Sequence, residues 1–442
     1  MGLRRALLTV LAVLALAPAR LAHATPQDLF GLGARSSAMG MTGVSCSDTW
    51  EAVYTNPAGL ARVRRRELEV GLGGGAYQLT LDGQRFPVEP ARGLTIGFAL
   101  PLPFGDVLQD RLVLAGGFYT PANVLLRGHV DFAEIPQWGV VDRAQSLSIN
   151  VGLGINLDDL VSGLRLGIGV SALANVVGDL SVRLDETHSF QSVVETQLLA
   201  TFSPIAGVAI DQPEWGLGLV YRHELRSEMN LHIVVSDLPV MLPVLTIGAL
   251  VQYDPAQVAL EGYYRVDPNV RLVANITYRL WSFYPGPYQP TTDGSFLPPA
   301  PLFHDTISPR VGIEGVIREG NADLTLRGGY ALELSPSPGA FFGPQREADG
   351  TNRMRGMEVV PAALRIIDND RHVLTAGFGL TYRFTDTERL HIDLYGQLHA
   401  LVDRTHAITR TATDPPPASG APPGMVSAGY IVIGGWMVGL EF

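Results

Sequence analysis

The chain has 442 residues, of which 46% are hydrophobic and 17% are charged, and its formal net charge is −11. The negative charge, without any large Lys/Arg cluster, argues against a nucleic-acid partner. The charged fraction lies below the roughly 25% typical of soluble domains. Beyond the N-terminal region, however, no apolar run approaches the ~18 residues of a helical membrane span. Such a chain must place its apolar side chains at alternate positions, as β-strands do.

The first 24 residues have the composition of an export signal. Arg4 and Arg5 precede an apolar stretch at positions 6–17, and Ala24 ends an A-x-A cleavage pattern. The stretch is too short to be a membrane anchor. We therefore expect residues 1–24 to form a cleaved signal peptide and the mature chain to be exported.

After position 66 the chain alternates between apolar and polar side chains. In the segment 390–402, apolar residues at even positions oppose polar residues such as His391 and Asp393. A soluble β-sandwich produces the same alternation. Many of these segments nevertheless exceed the five or six residues usual in soluble sheets and reach the ~9–11 residues of a tilted transmembrane strand. Tyr and Phe also cluster at their ends, as in an aromatic girdle. We therefore predict an all-β transmembrane barrel.

The number of strands follows from the connections between them. Fifteen segments qualify as strands, whereas a single-chain bacterial barrel has an even number. Short and long connections alternate toward the C-terminus, as expected for periplasmic turns and outer loops. With both ends of the barrel in the periplasm, residues 215–235 ascend and residues 257–266 descend, so residues 244–252 become a hairpin extension of an outer loop. The prediction is a 14-stranded antiparallel barrel.

The stretch before the first strand is punctuated by turns. In "YTNPAGLARV", residues 54–63, the ring of Pro57 fixes φ and the side chain of Asn56 can bond the following backbone. A 14-stranded barrel is too wide for its own side chains to fill. We therefore predict that residues 25–66 form an N-terminal hatch, or plug, in the lumen of a barrel formed by residues 67–442.

The segment "GARSSAMGMTGVS", residues 33–45, followed by "YTNPAGLARV", resembles the FadL/TodX family of outer-membrane transporters for hydrophobic compounds, the long-chain fatty acid transporter type. The similarity in sequence covers only this N-terminal region. It implies that Asn56, Pro57 and Ala58 hold the hatch in place, the alternative being that they form only a turn. It also implies a location in the outer membrane of a Gram-negative bacterium.

The same resemblance implies a route for the substrate. Capture in an apolar groove among the outer loops is followed by binding in the lumen and by lateral exit through a gap at a kinked third strand. The third strand here, "RLVLAGGFYTPANVL", contains Gly116, Gly117 and Pro121. Glycine weakens a β-ladder and proline removes a donor from it. The alternative is a strand that simply ends near Thr120.

Two further features complete the candidate site residues. An apolar outer connection provides a predicted hydrophobic capture loop, consisting of Leu238, Val240, Met241, Leu242 and Val244. Large exposed apolar patches tend to be binding sites, although packing within the loop or against lipid explains such residues equally well. The terminal Phe442 resembles the signal that the barrel-assembly machinery recognises on bacterial outer-membrane strands.

Together these features predict passive transport of hydrophobic molecules, such as long-chain fatty acids or aromatic hydrocarbons, into outer-membrane lipid. The alternative function is a FadL-like barrel that acts as a protein secretion shuttle or anchor. The small-residue plug disfavours a polar-solute porin. We recognise no nucleophile elbow, zinc motif or phosphate loop, and therefore expect neither an enzyme nor a cofactor. His391 and His399 lie ~27 Å apart along one strand, too far to share a metal ion.

Overall fold

The computed structural model describes residues 27, 31–105, 111–122, 126–127, 133, 135–138, 145–184, 190–236, 245–288, 296–406 and 424–442. The predicted signal peptide, residues 1–24, lies outside this set. Among the described residues, no helix is long and apolar enough to span a bilayer.

Fourteen antiparallel strands form a closed barrel. Each strand pairs with the next along the chain, and the last pairs with the first from Glu67↔Glu441 to Leu81↔Ser427. In chain order the strands are β1 (Glu67–Leu81), β2 (Ala91–Pro101), β3 (Leu112–Pro121), β4 (Ser148–Asn156), β5 (Leu164–Leu184), β6 (Phe190–Asp211), β7 (Trp215–Arg222), β8 (Gln257–Asp267), β9 (Val270–Arg279), β10 (Thr306–Glu319), β11 (Ala322–Glu333), β12 (Arg371–Arg383), β13 (Arg389–Leu401) and β14 (Met425–Glu441). The predicted 14-stranded barrel is confirmed.

A hairpin continues β7 and β8 beyond the barrel. Its strands, Leu225–Ser236 and Leu245–Asp254, pair with each other, and the first also pairs in parallel with β5. The last barrel pair below it is Arg222↔Gln257. Residues 245–254 therefore belong to a hairpin extension beyond the barrel, as predicted for residues 244–252. The ascending strand predicted over residues 215–235 is correct in direction but is interrupted at positions 223–224.

The two faces of the wall differ because successive side chains of a strand point to opposite sides. At the start of β1, Leu68, Val70 and Leu72 are exposed on the outer face, whereas Glu67 and Glu69 are buried inside. Large exposed apolar side chains recur on the outer faces of most strands. An outer face of this kind suits lipid. Because the apolar side chains point outward, the polar side chains of the same strands point into the interior.

The connections at the two ends of the barrel differ in length. One end, here named the short-turn end, has links such as residues 212–214, 268–269 and 320–321. The other, the loop end, has connections spanning residues 280–305 and 334–370. The short strands outside the barrel are Gln84–Phe86, Leu126–Arg127, Gln137–Trp138, Gln145–Ser146, Phe341–Pro344, Met354–Arg355, Glu358–Val359, Pro361–Leu364, Ile366–Ile367 and Arg404–His406.

The segment before β1 contains the short helices α1 (Ala34–Ala38) and α2 (Ala52–Thr55), followed by a 3-10 helix over Pro57–Arg62. A further 3-10 turn, Trp281–Phe283, lies in a long loop. Almost all residues from 31 to 63 are buried.

Candidate functional site: the plugged lumen

The described N-terminal segment, residues 31–66, lies inside the barrel and is called the plug below. Its polar groups bond inward-facing side chains of strands on all sides. Thr375 of β12 bonds the backbone of α1 and of the turn after it, and Gln397 of β13 donates to the Ser37 carbonyl at 2.9 Å. On β10, Arg310 donates to the Met41 carbonyl at 3.0 Å. Contacts from so many strands require a position in the lumen.

The predicted hatch residues lie where the plug contacts β6. Asn56 is fully buried, and its side-chain amide donates to the carbonyls of Val44 at 2.7 Å and Val208 at 3.2 Å. Its Oδ1 accepts from the backbone of Ala58 at 3.0 Å, which caps the 3-10 helix that Pro57 begins. The structure thus brings the three residues together, and the amide of Asn56 joins the turn to the wall.

Glycines of the wall leave the room that this turn occupies. A Cβ on Gly167 of β5 would lie 2.1 Å from the backbone of Pro57 and Ala58, and one on Gly207 of β6 would lie 1.9 Å from Asn56 Oδ1. At Gly154 of β4, a Cβ would lie 2.9 Å from the Pro57 carbonyl. These approaches are closer than real Cβ contacts allow, so the wall accepts the turn only where it has no side chain.

A buried carboxylate of β8 holds the middle of the plug. Glu261 accepts hydrogen bonds from the backbone of Gly43 at 2.9 Å and of Ser45 at 2.8 Å, and from the Ser45 hydroxyl at 2.8 Å. Asn275 of β9 donates to Glu261 Oε2, the oxygen that also accepts from Gly43, at 3.0 Å. Hydrogen bonds to a charged acceptor contribute more than neutral ones. Glu261 therefore fixes the backbone of plug residues 43–45 against β8.

Ion pairs also cross between plug and wall. The Arg35 guanidinium contacts both oxygens of Glu314 of β10, at 2.8 and 2.9 Å, and also pairs with Asp48. Burial alone would raise the pKa of Asp48, but the guanidinium groups of Arg35, Arg271 and Arg62 together outweigh burial and keep this pKa below its ordinary value. Near the short-turn end, Arg62 holds both oxygens of Asp211 of β6, at 2.8 and 3.0 Å. The lower lumen is thus polar and densely bonded.

Toward the loop end, the side of the lumen at β1 and β14 is apolar, whereas Arg279 of β9, Arg310 of β10 and Glu333 of β11 form buried ion pairs on another side. Inward-facing side chains of β1 and β14 form a buried cluster there with two loop residues; its members include Tyr77, Leu79, Leu81, Ile431, Ile433, Trp138 and Ile367. The loop strands Gln137–Trp138 and Ile366–Ile367 pair in parallel across this cluster. A cavity of about 30 Å³ lies between the cluster and the plug, lined by Tyr119, Tyr395 and Ile433 together with Gly31 and Gly33 of the plug.

Sequence reasoning missed the aromatic cluster of the outer loops. Tyr253, Trp281, Tyr284 and Phe303 pack together, with ring centroids 4.5 to 6.3 Å apart. Three of the four lie within or beside the long loop, residues 280–305, that follows β9. Four large aromatic residues within a short distance of this loop are the signal that could have indicated a packed loop core.

The third strand differs in part from the prediction. The ladder runs without a register shift through Gly116 and Gly117 on both sides, so there is no β-bulge at these glycines. Gly117 instead faces the plug, where a Cβ would lie 2.9 Å from the Trp50 ring. The pairing with β4 stops at Tyr119↔Ser148, two residues before Pro121. The next described pair is Leu126↔Ser146, and residues 123–125 lie outside the described residues.

The missing donor of Pro121 faces this interruption. Ala122 donates its N–H to the Arg92 carbonyl of β2 at 2.9 Å. Successive residues of an antiparallel strand direct their backbone groups to opposite neighbours, so the amide position of Pro121 faces β4. Of the three residues named for a lateral opening, only Pro121 lies beyond the last pair of the β3–β4 ladder, Tyr119↔Ser148.

Two further sequence-based features, the capture loop and the role of Phe442, remain predictions. The predicted capture loop, residues 238–244, lies outside the described residues. Phe442 exchanges backbone hydrogen bonds with Arg66, at 3.0 and 3.2 Å, next to the seam between β14 and β1, and its side chain is half exposed. Its role as an assembly signal stays a prediction.

Comparison with known proteins gives matches in structure only. No protein-family model and no curated protein matches the sequence. A FadL homologue of Pseudomonas aeruginosa is similar with a TM-score of 0.55 at 15% identity, covering 96% of this chain and 99% of that one. The toluene transporter TodX of P. putida is similar with a TM-score of 0.51 at 15% identity, covering 94% and 99%. The chain therefore has the barrel fold of the FadL and TodX transporters.

Proposed function

We propose that the protein carries hydrophobic small molecules passively across an outer membrane, as a FadL-type transporter. The observation that carries the proposal is an apolar patch in the loop-end half of the lumen. Its side at β1 and β14 is lined by apolar side chains such as Leu79 and Ile433, and glycines of the plug lie below it. A compound that leaves water for such a lining gains ~0.8 kcal/mol per buried CH₂.

The aromatic cluster of the loops supports a path of entry. Ile366 packs with the aromatic cluster, and its neighbour Ile367 belongs to the buried apolar cluster of β1 and β14. The two apolar regions therefore meet at the loop strand Ile366–Ile367. A lipophilic molecule that enters among the loops can pass between these clusters without contact with the polar lower lumen. The substrate class includes long-chain fatty acids and monoaromatic hydrocarbons, since the similar structures are a FadL homologue and a toluene transporter.

We propose that the exit is lateral, at the interrupted pairing between β3 and β4. The plug fills the lumen toward the short-turn end with buried ion pairs, which an apolar molecule cannot replace. The β3–β4 ladder stops at Tyr119↔Ser148, at the loop-end side of the wall, and an exit at this position would lead into lipid. An apolar molecule prefers lipid to the aqueous periplasm for the same reason that it enters the lumen.

The experiment compares Ile433→Gln with Ile433→Leu in cells that depend on this protein for uptake of labelled oleate or toluene. An amide placed in the apolar lining costs about 1–3 kcal/mol of substrate binding, so uptake by Ile433→Gln should fall about tenfold while Ile433→Leu stays near wild type. Unheated electrophoretic migration checks that both barrels fold. Equal uptake by the two variants would contradict the proposal.

Purification in mild detergent provides an independent test. Mass spectrometry should identify co-purifying lipophilic molecules with wild type and fewer with Ile433→Gln. A preparation without lipophiles that instead binds an exported protein tightly would favour the protein secretion shuttle.

A further inference from the structure

We propose that Glu67, Glu69 and His391 bind one divalent transition-metal ion, Zn²⁺ in preference to Mg²⁺ or Ca²⁺, and that the ion ties the plug to the barrel wall. One donor atom from each residue lies within 4.8 Å of the other two, and all three residues are more than nine-tenths buried. The site lies in the lumen near the short-turn end and does not depend on the proposed transport function.

Barrel closure builds the site from distant parts of the chain. Glu69 of β1 pairs with Gly439 of β14, and Gly439 pairs in turn with His391 of β13. The two side chains therefore flank a position without a side chain. A Cβ on Gly439 would lie 2.3 Å from Glu69 Cγ and 2.5 Å from His391 Cδ2. Glycine at this position lets the carboxylate and the imidazole approach each other across the middle strand.

The plug engages one oxygen of each carboxylate and leaves the other available. The backbone N–H of Trp50 donates to Glu67 Oε2 at 3.0 Å, and its indole N–H donates to Glu69 Oε2 at 2.6 Å. Glu67 Oε1 and His391 Nε2 are buried without a hydrogen-bond partner. Glu69 Oε1 lies 3.7 Å from His391 Nε2. These three atoms are the ones a metal ion would take.

The charge of the site calls for a cation. Two carboxylates lie on the same buried face, two residues apart, and in the described part of the chain neither has an Arg or Lys partner within 4 Å. A buried anion without compensation is costly. A divalent ion offsets both charges at once, whereas a shared proton offsets one and leaves the imidazole lone pair unused.

The donor set selects the kind of ion. Zn²⁺ binds carboxylate oxygen at about 2.0–2.2 Å and imidazole nitrogen at about 2.0–2.1 Å, whereas Mg²⁺ and Ca²⁺ prefer oxygen ligands alone. Three protein ligands leave a fourth position for water. Supporting groups are also present, since Glu441 Oε1 lies 3.8 Å from His391 Nδ1 and Trp50 orients both glutamates. Such outer groups tune metal sites in proteins.

The ion would fix a plug residue that lies beside the third strand. Trp50 is fully buried, and its ring fills the space left by Gly97 of β2 and Gly117 of β3. An ion held by the two glutamates that bond Trp50 would lock this ring in place. We therefore expect metal binding to stabilise the folded barrel, because a ligand that binds only the folded state raises its stability.

The test uses the full-length barrel in detergent, stripped with EDTA and titrated with ZnCl₂ by calorimetry. We expect one Zn²⁺ per chain and a higher thermal midpoint, with no such effect of MgCl₂ or CaCl₂. Glu69→Gln and His391→Gln should each weaken binding at least tenfold. The matched control is His399→Gln, a buried histidine of the same strand whose ring bonds Gln397, and it should bind as wild type does. Absence of saturable Zn²⁺ binding, or unchanged binding by both site variants, would overturn the proposal.

X-ray absorption at the zinc edge tests the wild-type protein directly and does not depend on the folding of any variant. The expected spectrum has only oxygen and nitrogen neighbours near 2.0–2.1 Å and the outer-shell signal of one imidazole. A spectrum with sulfur, which would indicate Cys46, or without imidazole scattering would overturn the assignment.

Discussion

Asn56 of the plug lies directly over Gly207 of β6, so closely that a Cβ at position 207 would come within 1.9 Å of Asn56 Oδ1. The same amide donates to the carbonyl of Val208, the next residue of the wall. A glycine and an asparagine that are 151 positions apart therefore form one contact, in which the missing side chain of the wall creates the space and the amide of the plug fills it.

Gly207→Ala should loosen the plug while the barrel still forms. The added methyl group must displace Asn56 from its carbonyl acceptors, and overpacking of this kind costs about 1–3 kcal/mol. The measurement is the thermal midpoint of the folded form on unheated gels. The control is Gly315→Ala in β10, where a Cβ meets no atom within 4 Å. Equal midpoints for the two variants would show that the contact does not hold the plug.

Glu261→Gln should destabilise the plug through its backbone. The carboxylate accepts from two backbone amides and one hydroxyl, whereas the glutamine amide replaces one acceptor oxygen by a donor that faces those N–H groups. Loss of hydrogen bonds to a charged group costs about 1.5–3 kcal/mol. Glu319→Gln, at an exposed turn, is the control in the same denaturation assay and should differ little from wild type. A loss no larger than that of the control would contradict the role of Glu261.

The fold was predictable because the environment of a membrane barrel acts on every strand in the same way. The alternation of β13, with His391 inside and Ile392 outside, follows from lipid on one face and packed polar groups on the other. Strand number followed from the alternating lengths of the connections. The plug was predicted from a turn motif and from the width of the barrel, and Asn56, Pro57 and Ala58 lie together against the wall.

What could not be predicted depends on register across the closed barrel. Glu69 and His391 are more than three hundred positions apart and meet only because β1, β14 and β13 are neighbours. Gly117 was interpreted as a weak point of a ladder, whereas it admits the ring of Trp50. The sequence around a glycine indicates that space is needed, but not whether a bend or a neighbouring side chain uses that space.

Cys46 should react slowly in the folded barrel. The thiol is buried, and burial, reinforced by the charge of Glu261, raises its pKa to about 12. At pH 8 only about one thiol in ten thousand is then ionised, and the thiolate is the reactive form. Because the folded pKa lies above the ordinary value, the thiol favours the folded state below that ordinary value. This contribution is lost as the pH rises toward 12.

Maleimide labelling at pH 8, followed by mass spectrometry, measures this reactivity. Wild type should label slowly when folded and rapidly after heating in detergent. The control combines Cys46→Ser with Thr387→Cys at the short-turn end, where position 387 is exposed, and should label rapidly in both states. Rapid labelling of Cys46 in the folded barrel would mean that the plug leaves the lumen in solution.

Pro121→Thr should slow uptake if molecules leave through the interrupted wall. Threonine supplies the N–H that proline lacks, at the position that faces β4, and so favours an extension of the β3–β4 ladder beyond Tyr119↔Ser148. Pro101→Thr is the control, because Pro101 ends β2 at the opposite, short-turn end of the barrel. We expect a several-fold lower rate of labelled oleate or toluene uptake for Pro121→Thr, with unchanged binding in detergent and unchanged rates for Pro101→Thr.

Reduced uptake together with unchanged binding assigns the effect to release from the barrel. Equal uptake by the two variants would place the exit elsewhere. The end of the β3–β4 pairing near Pro121 would then belong only to the loop connection.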